Sequence, residues 1–132
     1  MNISFKCALA LFALIGNHCA HAEDCSSPPT QIAINACARQ AYQAADKQLN
    51  QLYAQYRARL DDGQQQKLKQ VQRAWIKFRD LSCDFESSAV EGGSAYAMVR
   101  SQCLADKTRA RVKELQQLAS CQEGDLHCPS PQ

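Results

Sequence analysis

The chain has 132 residues, with 15 Lys and Arg against 13 Asp and Glu and a net charge of +2. This is about one domain's length, and the charge is too balanced for a non-specific nucleic-acid binder. Few Gly and Pro exclude collagen-like and linker classes, and 45% hydrophobic with 21% charged residues is a globular composition.

The first stretch, Met1 to Ala22, reads as a secretory signal peptide. Lys6 is a short positive start, Cys7 to Ile15 is an apolar run, and Ala20-His21-Ala22 supplies small residues at the −3 and −1 positions of a cleavage site. The run is too short to cross a bilayer, which takes about 20 residues. A buried N-terminal helix would not need the A-x-A ending. Lipid attachment at Cys19 would need an apolar and small run where Gly16, Asn17 and His18 stand. The expected mature chain is therefore residues 23–132, exported to the periplasm or beyond, with no transmembrane segment.

The first helix is expected over about 30–60. Ser26-Ser27-Pro28-Pro29 leads in, and Thr30 is a good N-cap. Ile34, Ala38, Ala41, Ala45, Leu49, Leu52, Tyr53, Tyr56 and Leu60 then form one apolar stripe. Asp61-Asp62-Gly63 breaks it, with Asp62 placed to cap the second helix, expected over about 64–88. Leu68, Val71, Trp75, Phe78, Ser82 and Phe85 step by threes and fours, the cleanest core seam in the chain. A Gln-rich stretch (Gln64, Gln65, Gln66, Gln70, Gln72) reads as a solvated face. Glu91-Gly92-Gly93 ends this helix and Ser94 offers the next N-cap. The third helix is expected over about 95–119, with Val99, Cys103, Leu104, Thr108, Arg111, Leu115 and Leu118 on or beside its stripe. A short Cys- and Pro-containing tail, 120–132, follows. No period-2 strand pattern occurs. The fold class is all-α, an up-down-up three-helix hairpin bundle stapled by disulfides, its consecutive helices antiparallel because the connections are short.

Removing the leader leaves Cys25, Cys37, Cys83, Cys103, Cys121 and Cys128. An even set in an oxidising compartment reads as three disulfides, with 15 possible pairings. In an up-down-up hairpin, Cys37, Cys83 and Cys103 lie at one end, and Cys25 can fold back to it. Cys83 and Cys103 are equidistant from Gly93, so antiparallel neighbours place them opposite each other. The expected pairs are Cys83–Cys103, Cys25–Cys37 and Cys121–Cys128, each contributing about 2–4 kcal/mol to a thin core.

Catalysis has little to work with. His127, in the tail, is the only histidine beyond the leader, and paired cysteines are inert as nucleophiles. Asp80 and Asp84 are an i,i+4 carboxylate pair that reads as a solvated face, and no nucleotide, hydrolase or metalloprotease motif is present. Closely spaced Cys pairs of the zinc type are also missing. The reading is of a non-enzyme with no metal and no cofactor. Charge is more informative. Between Arg57 and Arg79 seven bases (Arg57, Arg59, Lys67, Lys69, Arg73, Lys77, Arg79) stand against Asp61 and Asp62, while Asp80 to Tyr96 carries four acids and no base. An acidic tip at the Gly-Gly turn suits a basic protein partner; it also serves plain solubility.

One further pattern spans most of the chain after the leader. It runs Asn35-x-Cys37, Asp46-x-x-Leu49-Asn50-x-x-Tyr53, then Gln72-Arg73-Ala74-Trp75-Ile76-x-Phe78-Arg79-Asp80-x-x-Cys83. Gly92-Gly93-Ser94, Cys103 and Thr108-x-x-Arg111-x-x-x-Leu115 complete it. This resembles the N-terminal domain family of LprI-like lysozyme inhibitors. The resemblance implies a small exported helical domain whose named activity is inhibition of host lysozyme. The Cys121–Cys128 tail is an addition to the pattern. Within it Trp75 reads as core, and Asp46, Asn50, Arg79, Asp80 and Arg111 as a structural polar network between helices. A peptidoglycan hydrolase such as lysozyme is the expected partner, contacted through Asp84, Glu86, Glu91, Gly92, Gly93, Ser94 and Tyr96. The alternative is a periplasmic interaction or immunity-type domain without a lysozyme target.

Overall fold

The computed structural model of the protein describes residues 24–122 and 124–129. The expected leader and its cleavage site lie outside the described residues. Three helices, α1 (Gln31–Arg57), α2 (Asp62–Ser87) and α3 (Tyr96–Ala119), make an all-α bundle; a single 3-10 turn at Ser88–Val90 ends α2, and no strand occurs among the described residues. The helix ends follow local chemistry. The Thr30 hydroxyl accepts from the Ala33 N–H at 3.1 Å, as expected of an N-cap. At α2 the cap is Asp61, not Asp62: Asp61 Oδ1 accepts from the Gln64 N–H at 2.8 Å, which places Asp62 and Gly63 in the first turn. Ser94 does not cap α3 either. Ala95 stands at that position without a side-chain bond, and Ser94 lies one residue earlier, in the turn.

α1 and α3 run parallel and approach each other closely, whereas α2 lies chiefly against α3. Small residues make the close approach possible: Ala33, Ala38 and Ala45 on α1 and Ala105 and Thr108 on α3 are buried. Ala41, placed on the α1 stripe by periodicity, is exposed instead. The interior divides into three layers along the bundle. At the base, Leu49, Tyr56, Leu60, Leu68, Val112 and Leu115 form the apolar core, with Leu52, Tyr53, Trp75 and Leu118 packed around it. A polar layer around Arg79 occupies the middle. At the α2–α3 turn the interior holds small or short side chains such as Ala33, Cys83 and Ser87. Such residues remove little apolar area from water, so this end gains least from the hydrophobic effect. It also carries two of the three disulfides among the described residues, Cys25–Cys37 and Cys83–Cys103; Cys121–Cys128 closes the tail.

The expected α2 seam is corrected by the structure. The buried face of α2 is Leu68, Gln72, Arg79, Cys83 and Ser87, and Trp75 is half-buried beside it. Val71, Phe78 and Phe85 are 53%, 63% and 80% exposed. The helix is turned by about one residue, or about 100°, from the rotation that would bury its Phe residues. The Cys83–Cys103 bond and the Arg79 contacts set this rotation. Arg79 and Cys83 are four residues apart and share a face, so burying both carries Phe78 and Phe85 outward.

Candidate binding site at the helix two to helix three turn

The turn between α2 and α3 is braced on several sides. Cys83, with no exposed surface, is bonded to Cys103 across the two helices. Ser87 Oγ donates to the Cys83 carbonyl at 2.7 Å, and Ser88 Oγ to the Phe85 carbonyl at 2.7 Å, closing the end of α2 on itself. The turn then runs through Gly92, at φ +77, a left-handed conformation that glycine adopts without a Cβ penalty. At Gly93 a Cβ would sit 3.1 Å from the Val90 carbonyl oxygen. The first turn of α1 holds the turn from the side: Asn35 Nδ2 donates to the Ser94 carbonyl at 2.9 Å, while Gln31 Nε2 donates to Asn35 Oδ1 at 2.9 Å. Asn35 is the residue that the acidic-tip reading missed. The signal was present, since Asn35-x-Cys37 belongs to the quoted pattern.

The fold changes the electrostatics of the tip. Asp84 Oδ1 accepts from Arg100 Nε at 2.6 Å and Glu86 Oε1 pairs with Lys107 Nζ at 2.9 Å. The Asp84 hydrogen bond holds the Arg100 guanidinium above its ordinary pKa. Asp80 is taken by Arg79. The local sequence lacks bases because α3 supplies them from across the bundle. Of the acids between Asp80 and Tyr96, only Glu91 has no ion pair among the described residues. Glu91, Gly92, Gly93 and Ser94 are exposed, and Tyr96 is half-buried at the start of α3. The site is therefore a rigid apex with one unpaired carboxylate, flanked by neutralised pairs.

Deeper in the bundle, Arg79 is 5% exposed and gathers three of the four other network residues directly or at one remove. Its Nε donates to Asp80 Oδ1 at 2.9 Å, and its Nη1 to Asp46 Oδ1 and to Thr108 Oγ1, both at 3.2 Å. Asn50 Nδ2 donates to Asp46 Oδ2 at 3.0 Å and so joins through that carboxylate. Arg111 stands apart: its Nε donates to Gln72 Oε1 at 3.3 Å and its Nη1 to Glu114 Oε2 at 2.9 Å. The two guanidinium groups share the Trp75 ring, which lies 5.3 Å from Arg79 and 5.7 Å from Arg111. Tyr42, with its ring 5.3 Å from Arg79, and Thr108 complete the arrangement. Gln72 is thus a buried partner of Arg111, not part of a solvated glutamine face. These groups satisfy one another and hold α2 on α1 and α3.

Comparisons with known proteins bear on this chain as a whole. A family model described as "Lysozyme inhibitor LprI" matches residues 22–115. An uncharacterized protein of Rhizobium meliloti (strain 1021) is 36% identical over 113 residues, covering 76% of this chain and 81% of the relative. Among solved structures, a DUF1311 family protein from Pseudomonas putida KT2440 superposes with a TM-score of 0.65 at 25% identity, covering 73% of this chain and all of the other.

Proposed function

The chain belongs to the LprI lysozyme inhibitor family, and from that membership we propose that it is an extracytoplasmic binding protein that blocks a lysozyme-type peptidoglycan hydrolase with its α2–α3 apex. The observation that carries this reading is the bracing of the apex. A loop held by Cys83–Cys103, two cross-helix ion pairs and the Asn35–Ser94 bond is already ordered before binding. Preorganisation of that kind lowers the entropy lost on association. Lysozymes work through two carboxylates in an open cleft, so a rigid projection seated there stops the enzyme without chemistry of its own. Glu91, with Gly92, Gly93, Ser94 and Tyr96, is the contact region. Asp84 and Glu86 act through the ion pairs that shape it. Residues 1–22 are the export signal, removed before Glu23, and export supplies the oxidising compartment that the disulfides require.

The test is lysis of a peptidoglycan suspension by lysozyme with and without the purified protein. Inhibition at micromolar excess, weakened several-fold by Glu91→Arg, is expected; an unchanged lysis rate sinks the reading. A second reading, an interaction or immunity-type domain with no lysozyme target, draws support from the neutralisation of Asp84 and Glu86. It expects a partner whose binding survives both added salt and Glu91→Arg, since rim charges act mainly on association rate and salt dependence.

A further inference from the structure

The outward face of α2 carries chemistry that neither the bundle nor the apex uses. Val71, Phe78, Leu81 and Phe85 are 53%, 63%, 59% and 80% exposed, and Ala74 between them is exposed too. Their spacing is three, four, three, four. That is the heptad seam by which one helix packs along another, and it lies on the solvent side of a helix whose other face is already buried. Together these side chains expose on the order of 450 Å², taking an aromatic side chain at about 200 Å². A monomer's largest apolar patch is about that size and is often functional.

We infer that this stripe is a self-association surface, on which α2 of one molecule packs antiparallel against α2 of a second copy around a two-fold axis. The charges beside the stripe select both the occupant and the direction. Lys77 and Asp84 flank Phe78 and Phe85 on the same side, one heptad apart. With Phe78 of one copy facing Leu81 of the other, antiparallel helices bring Lys77 of each copy beside Asp84 of its mate, and the symmetry makes this pair twice. Parallel helices would set Lys77 against Ser82 of the mate and leave both charges unpaired. Asp84 is half-exposed and uses Oδ1 for Arg100, so Oδ2 remains for the second lysine. On the other side of the stripe, Lys107 lies 5.8 Å from the Phe78 ring and is already paired with Glu86, so it opposes neither approach.

The area sets the strength. A stable interface buries about 800 Å² on each partner, and the stripe supplies roughly half of that, so a weak, concentration-dependent dimer is expected. Sedimentation velocity of the full mature chain from low micromolar to several hundred micromolar tests it. The expected result is a concentration-dependent monomer–dimer equilibrium, weakened at least tenfold by Phe78→Glu and several-fold by Lys77→Glu, with helical circular dichroism unchanged because both positions are on the surface. A chain that stays monomeric throughout overturns the proposal, as does a dimer indifferent to Phe78→Glu, which would use another face. The lysis assay on Glu91→Arg reads the apex alone, so failure of either idea is seen separately.

Discussion

Arg79 carries a charge into the bundle because every direction from its guanidinium meets a partner: Asp80, Asp46, Thr108, and the rings of Tyr42 and Trp75. Truncating one member of a buried ion pair usually costs about 3–5 kcal/mol. Asp46 and Asp80 are partly exposed and can rehydrate, so Arg79→Leu should cost less, about 2–3 kcal/mol, in urea denaturation. Arg79→Lys should recover only part of it, because a point charge cannot replace a planar fork. Tyr56 is the opposite case. Its hydroxyl is buried without a hydrogen-bond partner among the described residues, so Tyr56→Phe should raise stability by about 1 kcal/mol. The same burial pushes the Tyr56 phenol above its ordinary pKa, and burial does likewise at Tyr42. A raised folded-state value means that the neutral phenol is favoured in the fold. The resulting stability is complete below about pH 10 and is lost as pH rises through the raised values. Alkaline unfolding of Tyr56→Phe, followed by circular dichroism, should therefore begin at higher pH than in the wild type.

At the level of the helices, periodicity located all three elements to within a few residues, because apolar spacing and capping residues act locally. Thr30 was legible as a cap for that reason. Asp61 and Asp62 were not distinguishable, since either carboxylate can reach an N–H of the first turn and only the backbone path decides between them. The α2 rotation was legible only in part. The helix has an apolar face and an adjoining face of Gln72, Arg79, Cys83 and Ser87; the expected Cys83–Cys103 pair already pointed to the second, but apolar spacing favoured the first, and only the packed bundle shows that Thr108 and Arg111 also meet the second face. The rotation has a direct test. Phe85→Ser should change stability by less than about 0.5 kcal/mol, as a surface substitution does. Leu49→Ala, at a position only 1% exposed, should cost about 2–5 kcal/mol. Thermal melts at low micromolar concentration compare them.

For the molecule as a whole, the division of labour along the bundle matters most. The base is held by apolar burial, the middle by the Arg79 layer, and the turn end by disulfides. The Cys83–Cys103 link spans a sequence separation of 20, so Cys83→Ser with Cys103→Ser should cost about 3 kcal/mol. The loss should concentrate at the turn, as faster amide hydrogen exchange over residues 87–98 and little change near Leu49 and Leu115. Inhibition of lysis, which the proposed function assigns to a preformed apex, should weaken in the same variant.

The helix count and the resemblance on which the family assignment rests were present in the chain itself, since they depend on spacing, caps and residues close in sequence. The ionic state of the apex was not. Asp84 and Glu86 look like unopposed acids until the hairpin closes and brings Arg100 and Lys107 across to them. Which face of α2 meets water was settled by the same closure. Both outcomes depend on contacts between residues well separated in sequence, and electrostatic and packing energies follow distance in space, which local periodicity does not measure.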